Sequence, residues 1–232
     1  MELTQTHIEE LYKFTRAHYV EHYDVQTELV DHLANDIEQI WSKQPKISFE
    51  EARDMSFQKF GVFGFMEVVE AKQKQLGKKY AKILWGFLKE WFSMPKLIST
   101  GLLFYLFYSF LDLQTNAIFC IVVVLLLVII ETVLVIRLLK KAKQRFKAKK
   151  RKYLLEEVIF KTGVFNTIVL FTNFFQFINF TEGITAIWGK CVVAGVFTLA
   201  IIFSYITLIV IPQKAEELLK ETYPEYKQLN AL

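Results

Sequence analysis

Apolar residues gather into four long runs over the second part of the chain and recur at helical spacing over its first third. The runs cover 97–113, 117–139, 158–180 and 191–211. Ser99, Thr100, Ser109 and Asp112 interrupt the first, and Glu131 and Thr132 break 117–136 in the second. The third carries the amides Asn166, Asn173 and Gln176, and the fourth holds nothing more polar than Thr, Ser and Tyr. Each run is close to the roughly 20 residues that a helix needs to cross about 30 Å of hydrocarbon. A backbone in lipid must satisfy its own hydrogen bonds, so the pattern predicts four transmembrane helices.

Lys and Arg near the run ends set the direction. Lys78, Lys79, Lys82, Lys89 and Lys96 precede the first run, and Lys214, Lys220 and Lys227 follow the fourth. Between the second and third stand Arg137, Lys140, Lys141, Lys143, Arg145, Lys147, Lys149, Lys150, Arg151 and Lys152. The opposite connections, 112–116 and 179–190, offer Lys190 alone. Both termini are therefore expected on the cytoplasmic side of a multi-pass protein. The acidic, helix-patterned segment after Met1 predicts no cleaved leader.

In the first third, Thr6 with Glu9 reads as a capping box opening a helix with Ile8, Leu11, Tyr12 and Tyr19 inward. Asp24 is expected to cap a second helix, carrying Leu29, Val30, Leu33, Ile37, Ile40 and Trp41 and ended by Pro45. Ser48 with Glu51 opens a third, and Gly61 sits where a left-handed cap falls. Residues 65–76 make a fourth. The expected fold is all-α: a small cytosolic helical domain over 1–76, an amphipathic interfacial helix over 77–96, a four-helix membrane bundle over 97–211 with a basic cytosolic loop at 137–152, and a tail helix over 212–232. A bundle of about 75 residues is near the lower limit of independent stability and is expected to lean on the membrane or a partner. The interfacial assignment rests on Trp85, Phe87, Trp91 and Phe92 on one wide apolar face directly before the first run.

Charge sharpens this division. Residues 1–76 carry 8 Lys/Arg against 14 Asp/Glu, a net of −6, while the remainder carries 20 against 10, a net of +10. An acidic head is thus joined to a basic, apolar body, and the head could fold against the basic connection as an electrostatic latch. Only two cysteines are present, Cys120 and Cys191, which excludes a disulfide scaffold. Both read as small apolar residues near the outer ends of their runs.

Glu28-Leu29-Val30-Asp31-His32-Leu33, then Phe49-Glu50-Glu51-Ala52 and Lys59-Phe60-Gly61, resemble the bacterial HAAS-type or permease-prefix domains over roughly residues 5–76. The resemblance implies a small cytosolic helical domain placed before membrane segments, associated with permeases or transcriptional regulators and without enzymatic activity. It also implies a bacterial inner (plasma) membrane as the setting. The membrane part resembles no family that can be assigned.

Several motifs compete with plainer readings. His18-Tyr19-Val20-Glu21-His22 matches an inverted zinc-peptidase pattern, but a third ligand is missing because no His follows His32. The favoured reading is a solvated helix end, and Asp31-His32 reads as a structural hydrogen bond. Glu131, Asn166, Asn173 and Gln176 could line an ion or proton path, or act as polar glue between helices, with Glu131 paired to Asn166 or a basic neighbour. Glue is favoured, since no second ionisable group opposes Glu131. The basic stretch predicts contact with anionic lipid at about 1 kcal/mol per charge. It leaves ribosomal RNA as a weaker partner and gives no sign of sequence-specific nucleic-acid binding. The tail's Glu-Glu-x-Leu…Tyr-x-x-Tyr shape is similar to membrane methyltransferases, without their Arg-His-Pro stretch. No catalytic constellation, cofactor or metal site is expected. The reading is a non-enzymatic accessory or adaptor protein that recruits or regulates a larger membrane complex through other membrane subunits. The alternatives are a small transporter or channel subunit and, third, a methyltransferase-like enzyme.

Overall fold

The computed structural model describes residues 3–112, 117–148, 151–165 and 186–229. Among these residues the regular elements are all helical and no strand occurs, as expected. They are α1 (Gln5–Ala17), α2 (Tyr23–Lys43), α3 (Phe49–Gln58), α4 (Met66–Trp91), α5 (Met94–Asp112), α6 (Ala117–Ala148), α7 (helical over 154–165) and α8 (Ile187–Tyr205). A π-helical turn (Ile206–Val210), α9 (Ile211–Gln213), α10 (Ala215–Thr222) and α11 (Pro224–Leu229) complete the order. The chain divides into two compact units, Met1–Lys79 with Lys149–Leu155, and Tyr80–Ala148 with Glu156–Leu232.

The first unit follows the helical spacing except at Tyr19, expected inward, which lies past the end of α1 with φ +64° and is exposed. Leu11, Leu29, Leu33 and Ile37 are fully buried, each contributing about 2 kcal/mol of transfer free energy. Phe14, Phe57, Phe60 and Phe65 form an aromatic wall, with Phe57 and Phe65 at 4.8 Å between ring centres and Phe60 and Phe65 at 4.9 Å. The caps partly differ from expectation. The reciprocal cap of α1 is Thr4 with His7, not Thr6 with Glu9: the His7 N–H donates to Thr4 Oγ1 and the Thr4 N–H to His7 Nδ1, both at 3.3 Å. The His7 ring is fixed there by stacking on Phe49 at 4.4 Å, a contact from another helix that sequence spacing cannot register. His22, not Asp24, is the N-cap of α2, and it makes no side-chain cap bond. The Ser48–Glu51 box opens α3 as expected, and Gly61 takes φ +73°.

The predicted helix over 65–76 and most of the interfacial helix predicted over 77–96 are one. α4 runs unbroken from Met66 to Trp91 through Gly77, whose helical cost of about 1 kcal/mol is spread over a long stretch of good helix formers with no Pro before Pro95.

In the second unit, Met94–Leu111 and Ile187–Gln213 are long and apolar enough to cross a membrane. α5 lies against α8, with Phe107 and Phe197 stacked at 5.4 Å. α6 remains helical to Ala148, so 137–148 of the predicted basic loop is helix. Leu138 and Ala142, one turn apart, are buried there, and the intervening Lys, Leu and Arg are good helix formers. The tail is also more than a surface helix, because Leu218, Leu219, Tyr223 and Tyr226 are all buried. Of the third apolar run, 158–165 continues α7, with Lys161 paired to Glu157 one turn earlier. Asn166, Asn173 and Gln176 lie outside the described residues.

Candidate functional site

The first unit contains four residues that the sequence places beyond the second apolar run. Arg151 to Leu154 form a strap across the start of α2. The Tyr23 N–H donates to the Lys152 carbonyl at 2.7 Å, and the Leu154 N–H donates to Asp24 Oδ1 at 3.1 Å in a buried position. Lys152 Nζ reaches Glu21 at 3.1 Å, the Arg151 guanidinium lies 4.2 Å over the Tyr23 ring, and Tyr153 meets the same ring edge-on at 5.9 Å. Tyr153 and Leu154 are each 1% exposed. The exposed Lys152–Glu21 pair contributes little. The two backbone-anchored bonds and the burial of Tyr153 and Leu154 hold the strap, because a buried N–H left without an acceptor costs about 1–3 kcal/mol. This explains why Asp24 is not a cap: its carboxylate receives another segment's backbone.

The segment His18–His22 does not take the single-helix arrangement of the zinc-peptidase pattern. His18 is the C-cap of α1, its Nδ1 2.9 Å from the Phe14 carbonyl and its ring 4.4 Å from Phe57. His22 caps the next helix, and Tyr19 between them has φ +64°. The two imidazoles therefore do not share one helical face. Among the described residues no group of three or more His, Cys, Asp or Glu is placed to hold a metal ion. Asp31 and His32 are both exposed.

In the second unit Glu131 of α6 finds a partner that its sequence context does not mark. Ser204 Oγ on α8 donates to Glu131 Oε1 on α6 at 2.7 Å. Directly after it comes the π-helical turn, whose wider ring displaces the usual carbonyl partners. Thr207 compensates by donating its hydroxyl to the Phe203 carbonyl at 2.9 Å. Gly163 of α7 meets this turn so closely that a Cβ there stands 2.9 Å from the Thr207 carbonyl oxygen and 3.1 Å from Leu138 Cδ2. Small residues allow such close approach between helices. Glu131, Ser204, Thr207 and Gly163 thus mark where α6, α7 and α8 meet.

A second polar junction holds the ends of three helices. Arg145 Nε donates to Glu156 Oε1 at 2.8 Å, and Arg145 Nη2 lies 3.2 Å from Glu216 of α10 without hydrogen-bond geometry. Glu156 is completely buried. Burial alone lowers the Arg145 pKa; the bond and charge of Glu156, with Glu216 adding, outweigh that and raise it. Arg145 is therefore a structural residue, a correction to its place in the expected contact loop. Arg137, Lys140, Lys141, Lys143 and Lys147 are exposed on α6, and Lys149 and Lys150 lie outside the described residues.

The expected interfacial residues are divided. Trp91 Nε1 donates to Thr100 Oγ1 at 3.2 Å and its ring lies 5.3 Å from Tyr205, while Lys214 Nζ stands 5.2 Å over Phe87. Trp85 and Phe92 stay exposed and line an apolar groove with Val196, Leu199 and Phe203 of α8. The face expected to lie free at headgroup level is thus partly taken up by α8. Cys191 is exposed with a free thiol, and the Cys120 side chain lies outside the described residues. Among the residues missed, Ser204 and Gly163 carry a faint signal as small residues in apolar runs, and Tyr153-Leu154-Leu155 as an apolar triplet following the last two cations. Compared with known proteins, the chain matches no family model, no curated protein and no solved structure.

Proposed function

We propose that this chain is a non-enzymatic accessory protein of a bacterial inner membrane: four spans with both termini cytoplasmic anchor a HAAS-like helical head, which recruits or regulates a larger complex of membrane subunits. The observation that carries the reading is the strap. A head closed by the connection between α6 and α7 is tied to the membrane part at two points of the chain, through α4 and through Arg151–Leu154. Binding of another subunit to such a head alters the connection between two apolar helices without any chemistry in the head. The apolar residues left bare on α5, such as Ile98, Leu102, Leu106 and Tyr105, support a lipid environment, since soluble monomers rarely expose so continuous a stripe. Exposed Arg137, Lys140, Lys141, Lys143 and Lys147 suit the anionic inner leaflet.

The Glu131–Ser204 bond favours helix glue over an ion path for the carboxylate. Full-length protein extracted in mild detergent is expected to bring down a stoichiometric membrane subunit, and to lose it when Leu154→Asp opens the strap. Turnover of a substrate by the isolated protein, or labelling of the head from outside intact cells, overturns the reading. Glu131→Gln separates the transporter alternative: normal expression with loss of a solute-dependent phenotype supports transport, whereas unchanged behaviour supports glue.

A further inference from the structure

We infer that the cleft between α1 and the strap binds a phosphate-bearing small ligand, a role that does not depend on the adaptor reading. The cleft encloses about 830 Å³ and is lined by Lys13, Arg16, Tyr23, Arg151 and Lys152, with Glu9 and Glu21 as its carboxylates. That size falls within the roughly 300–1,000 Å³ of small-molecule sites.

Its charge is opposite to that of the segment around it. Residues 1–76 carry a net of −6, yet Lys13, Arg16, Arg151 and Lys152 converge here against only Glu9 and Glu21. Lys152 is engaged by Glu21 at 3.1 Å. Lys13 and Arg16, one turn apart on α1 and both exposed, form no ion pair among the described residues. Arg151 is held with its guanidinium on the Tyr23 ring, and Tyr12 lies parallel to that ring at 6.0 Å. Stacking uses the guanidinium face and leaves its N–H edge for acceptors. Three cations from two chain segments, one of them braced, suit a phosphomonoester or pyrophosphate, whose several oxygens accept from each at once. A single carboxylate supplies fewer acceptors for the same three groups. Because Arg151 belongs to the strap, the bound ligand also bridges the strap to α1 and holds it closed.

A soluble phosphate compound and a phospholipid headgroup share this chemistry, and two arms of one experiment separate them. Full-length protein in neutral detergent micelles is titrated calorimetrically with inorganic pyrophosphate against potassium chloride of equal ionic strength. The same protein is then tested on phosphatidylcholine vesicles with and without phosphatidic acid. Saturable binding in either arm is expected to weaken about tenfold or more in Arg16→Gln and in Arg151→Gln, since each removes charge-assisted bonds. It is expected to stay unchanged in Lys46→Gln, an exposed position outside the cleft. Pyrophosphate binding in micelles assigns a soluble ligand; binding confined to phosphatidic acid assigns a headgroup. Absence of saturable binding in both arms, or equal binding in all three variants, overturns the proposal. Arg16 and Arg151 are both exposed, so the variants are expected to keep the wild-type helical circular dichroism, and Arg16→Lys retains part of the affinity.

Discussion

Gly163→Ala adds one methyl group where α7 touches the π-helical turn. The new Cβ stands 2.9 Å from the Thr207 carbonyl oxygen, 3.1 Å from Leu138 Cδ2 and 3.6 Å from Leu208 Cδ2. The nearest atom is backbone, and Thr207 is fully buried with its hydroxyl already bonded to Phe203, so it cannot swing aside. α7 has to move by several tenths of an ångström against α6 and the turn together. Overpacking of this kind costs about 1–3 kcal/mol. Replacing a helical Gly by Ala returns up to about 1 kcal/mol of propensity. The balance is a loss of about 1–2 kcal/mol, or roughly 3–6 °C in unfolding midpoint for a chain of this size. Gly86 is the matched control, because a Cβ there meets nothing within 4 Å and Gly86→Ala gains the propensity alone. Thermal unfolding in mild detergent, followed by size-exclusion fluorescence, is expected to move the two variants in opposite directions. Equal midpoints refute the close contact between Gly163 and Thr207.

Three other substitutions test the polar junctions. Asp24→Ala removes the acceptor of the buried Leu154 N–H at a cost of about 1–3 kcal/mol, and limited trypsin digestion is expected to nick the chain faster after Arg151 and Lys152. Arg145→Met removes the 2.8 Å charge-assisted bond to the buried Glu156; a destabilisation of about 3–5 kcal/mol is expected by chemical denaturation, with only partial rescue by Arg145→Lys, which loses the guanidinium fork. Asp36 supplies a pH test. Burial favours its neutral form, but the bond and charge of Lys59 outweigh this and hold its pKa below the ordinary value. Its contribution is therefore present above the unfolded value of about 4 and fades as pH falls through the lower folded value. The acid limb of the melting curve is expected to flatten in Lys59→Met, and an unchanged limb contradicts the assignment.

The helices were legible because their apolar positions recur at a spacing that packing enforces. Leu29, Leu33, Ile37 and Trp41 fall inward as the sequence requires, and Ser48–Glu51 caps its helix because both partners are local. What escaped the sequence depends on distant contacts. The α1 cap moved to Thr4–His7 because Phe49 holds the imidazole, and Asp24 gave up its capping place to a backbone N–H 130 residues away. Basic residues between two apolar runs read as a loop, yet Leu138, Ala142 and Arg145 each bury against or pair with other elements, and helix follows. Glu131 stood out as a carboxylate inside an apolar run, but its partner Ser204 had no mark distinguishing it from other hydroxyls in its own run.

The strap also fixes an order of events during synthesis. Helices α1 to α3 emerge long before Arg151–Leu154, with α4 to α6 in between, so Asp24 waits without Leu154 for roughly 6–26 s at ordinary rates of translation. During that interval the nascent domain has an open seam beside Tyr23. Closure of that seam then reports that the polypeptide has advanced past its second long apolar stretch.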